Sequence, residues 1–257
     1  MELDDAYANG AHIPGADAYP PRWATRAEAF RAATRCEIDL PYGTSPREVF
    51  DLFHPDRLAR GTLVFVHGGY WKAFDKSVWS HLAAGALARG WAVAMPSYDL
   101  CPEARIRDIT NQIRAALGVI AGRMPGPLRL TGHSAGGHLV ARMLDPRVRS
   151  AWSNRVEAVV PISPLSDLAP LMRTTMNEVL RIDADEARSE SPLHQPPPAV
   201  PVTVWVGGAE RPAFLDQAKW LARAWDCGHV VVPERHHFDV IDALEDPDSA
   251  LIETLLA

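Results

Sequence analysis

From residue 62 onward, short apolar runs alternate with longer segments in which apolar residues recur every three or four positions. Uninterrupted apolar runs of strand length suit strands buried on both faces of a parallel sheet. Thr62–His67, Trp91–Pro96, Leu128–Thr131, Val156–Ile162, Val202–Val206 and Val230–Val232 are such runs. Between them, Ser77–Arg89, Glu103–Gly122, Gly136–Leu144 and Pro212–Trp225 have helical spacing. The stripe Ile106, Ile109, Ile113, Leu117 and Ile120 is the clearest, and Gly90 reads as a helix C-cap. Upstream, Ala24–Arg35 reads as a helix, and Cys36–Leu40 with Arg47–Phe53 as two strands of an antiparallel hairpin turning at Tyr42–Pro46. The order predicts an α/β fold: a mainly parallel eight-stranded sheet with helices on both faces.

Two stretches depart from the alternation. Residues 1–35 form an Ala-rich N-terminal arm, and 164–200 carry a polar helical stretch, about Leu168–Arg181, before the connector at Pro196, Pro197 and Pro198. An insertion at 164–200 sits above the carboxyl edge of the sheet, where open α/β folds bind ligands. No repeat divides the chain, so residues 1–257 are expected to form one domain.

Composition narrows the partners. Against 26 Lys and Arg stand 32 Asp and Glu, a net charge of −6, which argues against nucleic acid and against an anionic membrane surface. Cys36, Cys101 and Cys227 are far apart and odd in number, so neither a disulfide framework nor a zinc ribbon is expected. The acidic start, Met1–Gly10, lacks a signal-peptide pattern, and no apolar run approaches a membrane span. A cytoplasmic protein is expected, and a homodimer is left open. No H-e-x-x-H pair, dinucleotide fingerprint or P-loop lysine occurs, so neither metal nor cofactor is expected.

The sharpest chemical signal is Gly132-His133-Ser134-Ala135-Gly136, a G-x-S-x-G sequence between a strand and a helix. Its glycines permit a turn tight enough to lift the Ser134 hydroxyl above the sheet, near the positive end of the next helix. A serine needs a base, and the partners of such a turn follow in the order carboxylate, then histidine, after later strands. Glu210 is the first carboxylate after Val202–Val206, and His236 and His237 both follow Val230–Val232. Spacing alone does not separate the two histidines. His67-Gly68-Gly69-Tyr70-Trp71 closes the third strand, and its backbone N–H groups suit an oxyanion. The donors would be Ala135 with Gly69 and its neighbours Gly68 and Tyr70, while His67 is expected to be structural. Tyr70, Trp71 and His133 are expected to line the pocket, and Tyr19 and Trp23 lie in a segment able to fold over it. Trp91, Trp205 and Trp225 are assigned to the core.

Together these residues resemble the α/β-hydrolase superfamily, and within it the kynurenine formamidase (arylformamidase)-like branch and its hormone-sensitive-lipase-like esterase relatives. The narrower resemblance rests on HGGYW at 67–71, GHSAGGHL at 132–139, and Val206-Gly207-Gly208-Ala209-Glu210-Arg211-Pro212-Ala213-Phe214 followed by His237-Phe238. It extends from about residue 36 to the C-terminus and makes 164–200 a short cap. By that match Glu210 is the acid and His237, not His236, the base, although the family more often has Asp at the acid position. The resemblance implies a cofactor-free serine hydrolase acting on a small, aromatic ester or formamide. An acyl thioesterase and a non-catalytic small-molecule binder are the alternatives.

Overall fold

The computed structural model describes residues 1–257. Its sheet contains β1 (Cys36–Pro41), β2 (Val49–Phe53), β3 (Thr62–Val66), β4 (Ala92–Pro96), β5 (Leu128–His133), β6 (Val156–Ile162), β7 (Thr203–Gly207) and β8 (Gly228–Val232), in the order β1-β2-β4-β3-β5-β6-β7-β8. The hairpin β1–β2 and the pair β2–β4 are antiparallel, and all pairs from β4 to β8 are parallel. The eight strands of the sequence pattern are all present.

Both faces of the central strands are apolar, yet the two-residue period still sorts their side chains. Val64, Val66, Ala92, Ala94, Val204 and Val206 join one core cluster, whereas Leu63, Phe65, Val93, Met95 and Trp205 join the other. The helices are α1 (Tyr19–Ala33), α2 (Ala84–Ala88), α3 (Ile106–Arg123), α4 (Ala135–Arg142), α5 (Asn177–Leu180), α6 (Ala184–Glu190), α7 (Pro212–Trp225) and α8 (Ala250–Leu256). The Ile stripe of α3, Leu139 of α4, and Phe214 and Leu221 of α7 pack in the first cluster. Trp23 of α1, Ala86 of α2 and Leu251, Ile252 and Leu255 of α8 pack in the second. No helix is long and apolar enough to cross a membrane.

Two predicted helices are broken. Ser77–Arg89 divides into 3-10 turns at Lys76–Val78 and Ser80–Ala83 before α2, because Trp79 leaves helical geometry (φ −117°, ψ 2°) to pack on Trp23. The stretch Leu168–Arg181 divides into a 3-10 turn at Ala169–Arg173 and the four-residue α5, with Thr174 extended between them and Arg181 left-handed at the end.

The crossovers place the site. From β3 the chain moves one way to β4, then returns to the other flank of β3 as β5. Loops leaving β3 and β5 therefore diverge, opening a crevice at their carboxyl ends.

Candidate active site

Ser134 stands on that crevice, between β5 and α4, with φ 57° and ψ −116°. Such a conformation is costly for a residue with a side chain, and persists only where its surroundings enforce it. Close packing enforces it here. A Cβ on Gly136 would lie 1.9 Å from the Val66 carbonyl oxygen, and one on Gly132 would lie 2.4 Å from that of Gly136. Only glycine lets the turn press this close to β3. The Ser134 N–H donates to the Ile162 carbonyl at 2.8 Å, tying the turn to β6. Ala135 is the first residue of α4, so its N–H has no acceptor within the helix.

Of the two adjacent histidines, His237 faces this turn. Its Nδ1–H donates to Glu210 Oε2 at 2.6 Å, and both side chains are buried. Glu210 Oε1 accepts from Ser163 Oγ at 2.5 Å and from the Gly207 N–H at 2.8 Å. The carboxylate is thus held from β6, β7 and the imidazole at once. His236 is engaged elsewhere: its Nε2 meets the Tyr19 hydroxyl at 3.0 Å and its Nδ1 accepts the Phe238 N–H at 3.1 Å. Sequence reasoning missed Ser163, whose one signal was its place directly after β6.

The loop after β3 runs through successive left-handed residues, with φ of 111° at Gly69, 50° at Tyr70 and 54° at Trp71. A Cβ on Gly68 would lie 2.9 Å from the His133 carbonyl oxygen and 3.1 Å from Ser134 Cβ, so the loop touches the serine turn directly. The N–H groups of Gly68, Gly69 and Tyr70 enter no hydrogen bond within the chain. His67 stands behind the loop, stacked on Tyr98 with ring centroids 4.3 Å apart, and donates from Nδ1 to the Gly68 carbonyl at 2.7 Å. In a trans peptide the C=O and the next N–H point opposite ways, so this bond orients the Gly69 N–H away from His67. Burial pushes the His67 imidazole down to about 4, keeping it neutral.

Trp71 is not in the pocket, contrary to expectation. The left-handed backbone turns its indole into the core, fully buried and edge-on to His138 of α4 at 4.9 Å. Its carbonyl accepts from Cys101 N–H at 2.8 Å, and Cys101 too is buried in the core rather than at the site. Trp91, Trp205 and Trp225 are buried as expected.

Ser134, His237, His133, Gly68, Gly69 and Tyr70 line one cavity of about 320 Å³, at the lower end of small-molecule sites. Its remaining walls are aromatic and small: Trp23, Phe74, Trp79 and Phe238, with Tyr7 to Ala11 of the N-terminal arm and Pro20. His133 lies 4.5 Å from His237 between ring centroids, and burial, followed by the neighbouring imidazole, holds it well below the ordinary histidine range. Lys72, exposed at the mouth, is the one Lys or Arg in the lining.

The arm crosses the sheet's carboxyl edge and is clamped there. Tyr7 is buried, accepting from Gln217 Nε2 at its hydroxyl (3.0 Å) and from the Tyr70 hydroxyl at its carbonyl (2.7 Å). Glu2 pairs with Arg173, Asp5 pairs with Arg211, and Asp4 accepts from the Thr175 N–H at 2.6 Å. Arg22 lies over the Tyr19 ring. These arginines hold the arm and do not face the cavity. No group of three or more His, Cys, Asp or Glu side chains converges in a way that could hold a metal ion.

The chain is similar to several known proteins. A family model described as the alpha/beta hydrolase fold matches residues 63–237. Kynurenine formamidase of Danio rerio is 26% identical over 89% of this chain and 84% of its own length, and that of Drosophila melanogaster is 28% identical over 81% and 77%. A solved structure from Silicibacter sp. tm1040, whose thioesterase designation is provisional, superposes with a TM-score of 0.99 at 60% identity, covering 100% of both chains. Esterase B of Lactobacillus rhamnosis, inhibited by a tributyrin phosphonate, has a TM-score of 0.69 at 20% identity over 92% of this chain and 89% of its own. That likeness concerns the fold.

Proposed function

The chain belongs to the α/β-hydrolase fold family, and from that premise we propose that it is a serine hydrolase cleaving a small aromatic carboxylic ester or formamide. One observation carries the reading: Ser134, on a strained turn, and a Glu210-held His237 open onto the same aromatic-walled cavity. His237 removes the Ser134 proton as Oγ attacks the substrate carbonyl, and Glu210 fixes the imidazole tautomer and stabilises the imidazolium. The oxyanion forms against the N–H groups of Ala135, Gly69 and their neighbours Gly68 and Tyr70. His237 then protonates the leaving alcohol or arylamine. It next takes a proton from water, whose oxygen attacks the acyl-Ser134 carbonyl, and returns that proton to Ser134 Oγ as the C–Oγ bond breaks and the acid is released. Neither step calls for a cofactor.

The formamidase relatives support an aryl formamide, since that reaction releases an arylamine that aromatic walls would hold. The 60% identical protein's designation favours a second reading, an acyl thioesterase. Against a coenzyme A thioester stands the lining, where Lys72 is the one Lys or Arg available to a phosphate.

The test is a panel of aryl esters, aryl formamides and acyl thioesters with wild type and Ser134→Ala. Wild type is expected to prefer an aryl ester or formamide by kcat/KM, and Ser134→Ala to lose about 10³-fold or more in kcat while staying folded. A fluorophosphonate is expected to label Ser134 covalently. Folded wild type that neither turns over any substrate nor takes the label would overturn the hydrolase reading. A preference for coenzyme A thioesters would favour the second.

A further inference from the structure

The cavity carries one formal charge of its own, and no carboxylate of the chain answers it. Lys72 is the only Lys, Arg, Asp or Glu in the lining, exposed at the mouth, whereas Ser134 lies buried within. The Lys72 N–H donates to the Gly69 carbonyl at 3.0 Å, which ties the root of this side chain to the oxyanion loop. Carboxylates that might have neutralised it are engaged elsewhere. Asp75 accepts from the Ser77 N–H at 2.7 Å, while Glu2 and Asp5 of the arm pair with Arg173 and Arg211. The remaining polar groups of the lining do not offset the charge. The N–H groups of Gly68, Gly69 and Tyr70 are donors, and the Tyr70 and Tyr7 hydroxyls are spent on the Tyr7 carbonyl and Gln217. The unpaired atoms of Asn9 and His133 are sealed away from the cavity. In a chain of net charge −6, the mouth therefore holds an isolated cation against apolar walls that focus its field.

We propose that Lys72 is a specificity-determining residue that selects aromatic substrates carrying an anionic group, a carboxylate, at the end remote from the scissile bond. The apolar walls accept aryl compounds alike, whatever their outer substituent, and Lys72 sorts them by charge as they enter. Since no carboxylate lines the cavity, a cationic or ammonium-bearing aryl group finds no matching partner there and meets Lys72 as a like charge. One ammonium suits one carboxylate. The several phosphates of coenzyme A would call on more cations, and Arg173 and Arg211 are already committed to the arm. The reaction that follows entry rests on the hydrolase reading above, whereas the charge preference does not.

The experiment uses meta- and para-substituted phenyl acetates whose substituent is a carboxylate, a neutral acetyl group or a trimethylammonium group. Their kcat/KM values are compared in wild type, Lys72→Met, Lys72→Arg and Lys72→Glu. Lys219→Met controls for net charge, since Lys219 is exposed on α7 and outside the lining. Comparing each carboxylate-to-acetyl ratio with that of wild type cancels the electronic effects of the substituents. The ratio is expected to fall about fivefold in Lys72→Met and about tenfold or more in Lys72→Glu, where the trimethylammonium ester gains instead. It is expected to hold in Lys72→Arg and Lys219→Met, and the wild-type preference to shrink as salt rises from about 0.02 M to about 0.5 M. Ratios unmoved in both Lys72→Met and Lys72→Glu would overturn the proposal. So would an equal shift in Lys219→Met, which would mark an effect of net charge alone. Acetyl coenzyme A is compared with S-acetyl-N-acetylcysteamine, which lacks the phosphates. A Lys72-dependent preference for the former, with an unmoved carboxylate ratio, would assign Lys72 to a phosphate and overturn the carboxylate. If wild type hydrolyses none of these esters, the corresponding para-substituted phenols are titrated by calorimetry. A preference for para-hydroxybenzoate lost in Lys72→Met then supports the role of Lys72 even as the esterase reading fails, and equal affinities overturn it.

Discussion

Glu210 divides its two oxygens between two tasks: Oε1 accepts from Ser163 and Gly207, and Oε2 accepts from His237. In Glu210→Gln the two donors at Oε1 demand the amide oxygen there, which turns the amide NH₂ toward His237 Nδ1. The imidazole must then accept at Nδ1 and carry its proton on Nε2, so it cannot receive the Ser134 proton. The expected outcome is a fall in kcat of about 10³- to 10⁴-fold with little change in KM or melting temperature; a fall of less than tenfold would dismiss Glu210 from this role. Residues of this kind were legible because each follows an apolar run, at a spot where local turn chemistry identifies it. Ser163 was not, since it matters only through its contact with Glu210 from a distant segment. Trp71 went astray for another reason. Sequence signals positive φ at glycine but not at Tyr70 and Trp71, and those two left-handed residues decide which way the indole points.

At the scale of elements, periodicity located every strand and the long helices α3 and α7 because their buried faces are apolar. It failed on α6, whose buried face is acidic. Glu186 and Glu190 are both buried there, Glu186 against Arg105 and Glu190 against Arg142 of α4, with Thr110 donating to Glu190 at 2.7 Å. Arg142 also reaches Asp145, and both are buried. Burial alone would raise the Asp145 carboxyl, but hydrogen bonds from Arg147 and Arg142 outweigh it and hold it at about 2. This network pins the segment between β6 and β7 to α4, the helix that follows Ser134. Arg142→Leu leaves the buried Glu190 carboxylate without its cation, while Asp145 keeps Arg147, a loss of about 3–5 kcal/mol. Calorimetry or circular dichroism is expected to show a melting temperature lower by about 10 °C. A decrease under 2 °C would mean that the network does not hold the segment in place.

For the molecule as a whole, the arm was the least legible part. Its ion pairs are exposed and contribute little, and its course over the sheet follows from Tyr7 and Trp23 finding buried places that no local pattern announces. Sequence did expose a different global property, the count of ten histidines, but not which are buried. Burial lowers His67 to about 4 and His138 to about 3, both below the usual 6.5. In the folded protein both are neutral at pH 6, whereas in the unfolded chain they take up protons as the pH drops through 6.5. The unfolded state therefore binds more protons between pH 6.5 and about 4, and stability must decline as pH falls across that window. Each histidine contributes up to about 1.4 kcal/mol per pH unit there, and neither contributes a slope above pH 7. Below pH 4 the depressed carboxyl of Asp145 adds its own loss as it protonates. The melting temperature is accordingly expected to be flat from pH 8 to 7 and to drop steadily from 6.5 to 4. His138→Gln, which can still donate to the Glu190 carbonyl that His138 Nε2 meets at 2.7 Å, should reduce that slope by about one proton. A wild-type melting temperature that stays constant from pH 7 to 5 would show that these imidazoles are not held neutral by the fold.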